Sequence, residues 1–111
     1  MLNFKEKAVI VEKVIDLLKH NKLNQDDKET MYKIVMSISN KTDKQKDRFT
    51  KFYNLQPSQK EHYTLSAIAQ QYSCSISAIN CSIIAIRAAL IRLPENEIMV
   101  LKKIADEYLK T

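Results

Sequence analysis

The basic side chains between Lys41 and Lys60 are the residues of this 111-residue chain best suited to bind a ligand, because they can attract phosphate groups. The segment holds six cationic residues and two aspartates, a net charge of +4, against +5 for the whole chain. From His62 to Ile86 there is no Asp, Glu, Lys or Arg. The candidate phosphate-binding residues are Lys44, Lys46, Arg48, Lys51 and Lys60. This charge permits a nucleic-acid partner, and the alternative is a helix face that only meets solvent.

Patterns typical of catalysis or metal binding are absent from the sequence. The chain has no glycine, and therefore no Gly-rich phosphate loop, and it has no nucleophile elbow and no His-Glu-x-x-His motif. His20 and His62 stand in no paired motif. Cys74 and Cys81 would lie about 10 Å apart along a helix, too far for a disulfide. We therefore expect a protein that is not an enzyme and that uses no metal and no cofactor.

The elements that must position these residues are helices. Without glycine, left-handed caps and hairpin turns fall to Asn, Ser or Asp, which disfavours a β fold. We predict one all-α domain over 1–111, a small helical bundle of five to six helices. It comprises a helical pair over 1–40, a central unit over 43–93 and a C-terminal helix over 94–111. The apolar residues of the first helix recur at 4-3-4-3 spacing, as Phe4, Ala8, Val11, Ile15 and Leu18.

The segment 64–93 predicts a short helix, a tight turn and a longer second helix. Thr64 can cap the first helix, and Ser75 or Ser77 can cap the second. Pro94 stops the second helix. A helix of about two turns, a turn and a second helix form the helix-turn-helix pattern.

These residues resemble the region 4 helix-turn-helix of bacterial sigma-70-type factors. In that family T-L-x-x-I-A or T-L-x-x-I-G is followed by V-S-x-x-x-V and an apolar ladder that ends in Leu. The matching positions are Thr64, Leu65, Ile68, Ala69, Ser75, Ile79, Ile86 and Leu90. The resemblance extends over residues 48–93 if the preceding helix is included. It implies a transcription regulator that binds double-stranded DNA. With the other observations, we predict a small cytoplasmic regulator of bacterial, phage or mobile-element type that binds as a dimer. No counterpart of region 2 is present, so the chain does not resemble a complete sigma factor.

The resemblance also implies which residues would meet DNA. The second helix would present Ile76, Ser77, Ala78, Asn80 and Cys81 to base edges in the major groove. Asn80 could pair with adenine, and Ser77 could reach either kind of base. Thr64 would lie against a phosphate, with Ser75 at the start of the second helix and the five cations nearby. The family usually carries Arg, Glu, Lys or Gln at several base-facing positions, and this chain carries none there.

The second helix has two apolar stripes. Its usual core stripe is Ile79, Ile83, Ile86 and Leu90, and the second stripe is Ser77, Cys81, Ile84, Ala88 and Ile91. A helix that is apolar nearly all round is normally buried, so the second stripe needs a cover. The cover could be the N-terminal or C-terminal helix of the same bundle. The cover could also be a second copy or another transcription protein, and Cys81, Ile84, Ala88 and Ile91 would then form the interface.

Two other functions remain open on these observations. The chain could be a protein-interaction module that keeps the helix-turn-helix as a scaffold and modulates another transcription or phage protein. It could also be a bundle that only associates with itself. No apolar run approaches the roughly 20 residues that span a bilayer, and charges interrupt residues 1–18. We expect no signal peptide, no membrane partner and a cytoplasmic location.

Overall fold

The computed structural model describes residues 1–109, which form six α-helices without a β-strand in that range, so the all-α prediction is confirmed. The last two residues of the predicted 94–111 helix lie outside the described part. The helices are α1 (Phe4–Lys19), α2 (Gln25–Met36), α3 (Asp43–Phe52), α4 (Leu65–Tyr72), α5 (Ile76–Ile91) and α6 (Glu95–Leu109).

Hydroxyl side chains cap the helices near the centre of the chain, as the sequence predicts. The Thr64 hydroxyl accepts a hydrogen bond from the backbone N–H of Ala67, with a distance of 3.0 Å. The Ser75 hydroxyl accepts from the N–H of Ala78 at 3.1 Å. Ser75 rather than Ser77 is therefore the cap of α5, and both caps satisfy helix N–H groups that would otherwise have no partner.

Asparagine and serine occupy the left-handed backbone positions of this glycine-free chain. Within residues 1–109, the residues with positive φ are Asn21, Asn54, Ser58 and Ser73. Ser73, with φ of 51°, ends α4. α3 ends at Phe52 with Tyr53 as its C-cap, and Asn54 follows with a φ of 59°. The expectation that Asn and Ser would take these positions is confirmed.

The central helix of the fold is α5, which packs on α1, α3 and α4. Its buried face includes Ile79, Ile86 and Leu90, which meet the same core as Phe49 of α3 and Ile68 of α4. Burial of such side chains contributes roughly 1.5–3 kcal/mol each before entropy costs. This packing holds one face of α5 firmly and leaves the opposite face outward.

The outer helices have different partners. α1 lies along α6, whereas α2 packs on α3. The two helices of residues 1–40 therefore pack against different neighbours. The C-terminal helix is tied back to the start of α2 by Tyr108. Its hydroxyl donates to Asp27 Oδ2 at 2.7 Å and accepts from the N–H of Asn24 at 2.8 Å.

Candidate nucleic-acid interface

The pair α4 and α5 forms a sharp corner on the surface. Three residues, Ser73 to Ser75, separate the helices, and the chain bends by 104° between them. Within residues 1–109, no single helix is both long and apolar enough to cross a bilayer; α4 and α5 reach that length and hydropathy only when taken together across their bend.

The predicted base-facing residues lie on the outer face of the first half of α5. Ser77, Asn80 and Cys81 are exposed, and the side chain of Ile76 is 46% exposed. Ala78 is half-buried. The structure therefore brings four of the five predicted positions together on one accessible, uncharged surface.

The predicted phosphate-binding cations do not form one cluster. Lys44 on α3 and Lys60 in the connection to α4 are exposed, as is the cap residue Thr64. Lys46, in contrast, is only 7% exposed, and its Nζ donates a 3.1 Å hydrogen bond to the carbonyl of Met36 in the last turn of α2. The prediction that Lys46 faces solvent is wrong. A carbonyl at a helix C-terminus has no partner within its own helix, and Lys46 supplies one.

Arg48 is also turned inward. Its Nη1 donates to the Ser82 hydroxyl on α5 at 2.9 Å, and its Nη2 lies 3.8 Å from Cys74 Sγ. The guanidinium carbon lies 4.5 Å from the centre of the Tyr72 ring. Arg48 is half-buried, and these contacts occupy the groups that were predicted to meet phosphate.

Lys51 is engaged by side chains of α3 and α4. Its Nζ lies 3.1 Å from Asp47 Oδ2 and donates to Gln71 Oε1 at 2.9 Å. Together with Arg48 and Tyr72, Asp47 and Lys51 form what we call the α3–α4 polar cluster. The sequence showed Asp47 and Lys51 at i, i+4 spacing, but it carried no signal for Tyr72 as their partner.

Asp47 and Tyr72 shift each other's ionisation. Burial alone would raise the pKa of Asp47, but hydrogen bonds from Tyr72, Gln56 and Lys51 outweigh it and lower that pKa below 3.8. Burial and the hydrogen bond to Asp47 raise the pKa of Tyr72 from 10.0 to about 12. Each group is therefore held in the charge state it has at neutral pH.

The second apolar stripe of α5 is open to solvent. Cys81 and Ala88 are exposed, Ile84 is 64% exposed, and Ile91 is half-buried against the core. The first alternative, a cover from a terminal helix, is not what the structure shows. α1 reaches the flank of α5 through an ion pair between Glu12 and Arg87, and it leaves the stripe beyond that pair uncovered.

Comparisons with protein-family models, curated proteins and solved structures return no match to this chain. Over residues 1–109, no cluster of three or more His, Cys, Asp or Glu side chains is arranged to hold a metal ion.

Proposed function

We propose that this protein is a small DNA-binding transcription regulator whose α4 and α5 act as a helix-turn-helix. The observation that carries the proposal is the 104° bend across three residues, with the outer face of the first half of α5 exposed. Helices of a helix-turn-helix meet at about 90–120° across a short turn. In this arrangement α5 enters the major groove by its N-terminal half, and α4 crosses the backbone.

Base contacts then come from short, uncharged side chains. Asn80 can make two hydrogen bonds to an adenine, and Ser77 can bond to several base edges. Ile76 can pack on a thymine methyl group. Since α5 offers no arginine before Arg87, which pairs with Glu12, the guanine contacts that arginine makes are missing and A·T-rich sites are favoured.

Phosphate contacts come from a smaller set than the sequence predicts. Lys44 and Lys60 are exposed and carry the charge. Thr64 accepts from Ala67 through its oxygen, which leaves its hydroxyl proton free to donate to a phosphate. Because few cations are available, we expect modest affinity that depends on base contacts or on a second copy.

The test is fluorescence anisotropy with a mixed-sequence duplex at about 50 and about 200 mM salt, where a phosphate-binding protein loses affinity steeply. Replacing both Lys44 and Lys60 with Glu should reduce the steepness of the fall of log K with log salt by about 2. Each neutralised phosphate accounts for about 0.9 of that slope. The matched control is the Lys5→Glu, Lys103→Glu double variant, which changes two exposed lysines on α1 and α6. Failure of the wild-type protein to bind at low salt would contradict the proposal, as would equal reductions of affinity in the two double variants.

A second candidate function is a protein-interaction module that uses the outer face of α5. The observation that favours it is the open stripe around Ile84, together with the internal use of Lys46, Arg48 and Lys51. The occupant would be a second copy or another transcription protein. Sedimentation across a range of protein concentrations, with wild type and Ile84→Asp, tests the second copy. A wild-type monomer at all concentrations would exclude it.

A further inference from the structure

Arg48 is the one side chain of the α3–α4 polar cluster that contacts α4, the turn and α5 together. From α3 it reaches the ring of Tyr72, the thiol of Cys74 and the hydroxyl of Ser82. These three residues belong to the three parts of the corner, namely α4, the turn and α5. Arg48 belongs to α3, and with these contacts it restricts the orientation of α4 relative to α5.

The guanidinium is held by its shape as well as by its charge. Its central carbon lies over the Tyr72 ring while Nη1 donates to Ser82, a combination of contacts that the single nitrogen of a lysine ammonium does not reproduce. Its Nε is buried and makes no hydrogen bond. In this orientation Arg48 contacts the Tyr72 ring and the Ser82 hydroxyl, while its Nε–H donor makes no hydrogen bond.

The ring beneath Arg48 is itself fixed. The hydroxyl of Tyr72 donates to Asp47, the residue that precedes Arg48 on α3, and Gln56 Nε2 donates to the other carboxylate oxygen at 2.6 Å. The aromatic face on which Arg48 lies is thus tied to the same helix that carries Arg48. The contacts among Asp47, Arg48, Tyr72 and Ser82 therefore join α3, α4 and α5.

We propose that Arg48 is a positioning residue that sets the angle between α4 and α5. It thereby sets the direction in which α5 presents Ser77 and Asn80. The angle itself is independent of any ligand, whereas the consequence for DNA rests on the function proposed above.

The test measures the angle directly. Residual dipolar couplings of backbone amides report the orientation of α4 relative to α5, and those of α1 and α6 serve as an internal reference. In Arg48→Lys and Arg48→Gln the couplings should give an α4–α5 angle that departs from that of wild type, while α1 and α6 keep their relative orientation. Lys44→Gln, an exposed position one turn earlier on α3, is the matched control and should change neither.

Arg48→Lys that retains the wild-type couplings would overturn the proposal. If both Arg48 variants fail to fold, Ser82→Ala tests the same link, because it removes the acceptor of Nη1 and places a strong helix former in α5. The α4–α5 couplings should change in this variant as well. Unchanged couplings in a folded Ser82→Ala protein would equally overturn the proposal.

DNA binding separates positioning from phosphate contact. If Arg48 positions α5, Arg48→Lys and Arg48→Gln should both lose about tenfold in affinity, the equivalent of 1.4 kcal/mol. Wild-type affinity in Arg48→Lys with a reduction only in Arg48→Gln would mean that charge alone matters, and would overturn the proposal. If wild type binds no duplex, the proposed function fails, and the couplings still decide the role of Arg48.

Discussion

The phenol of Tyr72 donates a hydrogen bond to the carboxylate of Asp47, which joins α4 to α3 beside the corner that leads into α5. Neither residue belongs to the motif residues of the segment 64–93 or to the predicted phosphate contacts. Their contact nevertheless fixes the ring on which Arg48 lies, so it helps to hold one of the predicted phosphate-binding cations within the fold. The carboxylate that accepts from Tyr72 also holds Lys51.

Asp47 should make the protein sensitive to acid. Its pKa is lowered in the folded state, so its contribution to stability is present above its unfolded pKa and is lost as the pH falls through the folded value. Asp47→Asn should therefore flatten the fall in thermal midpoint below about pH 4. Differential scanning calorimetry of wild type and variant measures this. Glu29→Gln, an exposed carboxylate on α2, is the control and should follow the wild-type curve.

Tyr72 should give the opposite dependence in alkali. Because its pKa is raised from 10.0 to about 12, its contribution is fully present below pH 10 and is lost as the pH rises towards 12. Tyr72→Phe should be about 1–3 kcal/mol less stable at pH 7, since it removes a hydrogen bond to a charged group. The difference from wild type should shrink between pH 10 and 12. Urea titrations measure both effects, and Tyr63→Phe, at a more exposed tyrosine, should show neither.

Lys46 should contribute to the stability of the fold and not to the attraction of phosphate groups. Lys46→Met keeps the buried stem but removes the donor to the Met36 carbonyl, and should cost about 1–3 kcal/mol. Lys44→Met, at an exposed position of the same helix, should stay within about 0.5 kcal/mol. Urea unfolding distinguishes the two. Equal stability of the two variants would mean that the bond to Met36 contributes nothing.

Ile84 should tolerate a charge that its neighbour does not. Because Ile84 is 64% exposed, Ile84→Asp should stay within about 1 kcal/mol of wild type, whereas Ile86→Asp, at a fully buried site, should unfold the protein. Circular dichroism and urea titration show this. In the protein-interaction proposal, the new carboxylate should also dissociate a wild-type oligomer, which sedimentation shows. A folded Ile84→Asp protein that keeps the wild-type oligomeric state would place the interface elsewhere.

Local patterns in the sequence were sufficient to predict the helices. Apolar spacing, the caps Thr64 and Ser75, and the use of Asn and Ser at left-handed positions all depend on residues within a turn or two of each other. Helix caps, helix periodicity and left-handed backbone positions each depend on residues that are close in the sequence. They could therefore be predicted without knowledge of the fold.

The packing of distant helices settled which charges and which faces remain available. Lys46 turned inward because the end of α2 lies beside it, and Arg48 because Tyr72 and Ser82 arrive from later helices. The second stripe of α5 stayed open because α1 and α6, the helices that could cover it, leave Ile84 and Ala88 exposed. A charged side chain takes the partner that packing places near it, and a helix face is covered only where another element reaches it. Periodicity along one helix cannot specify either outcome.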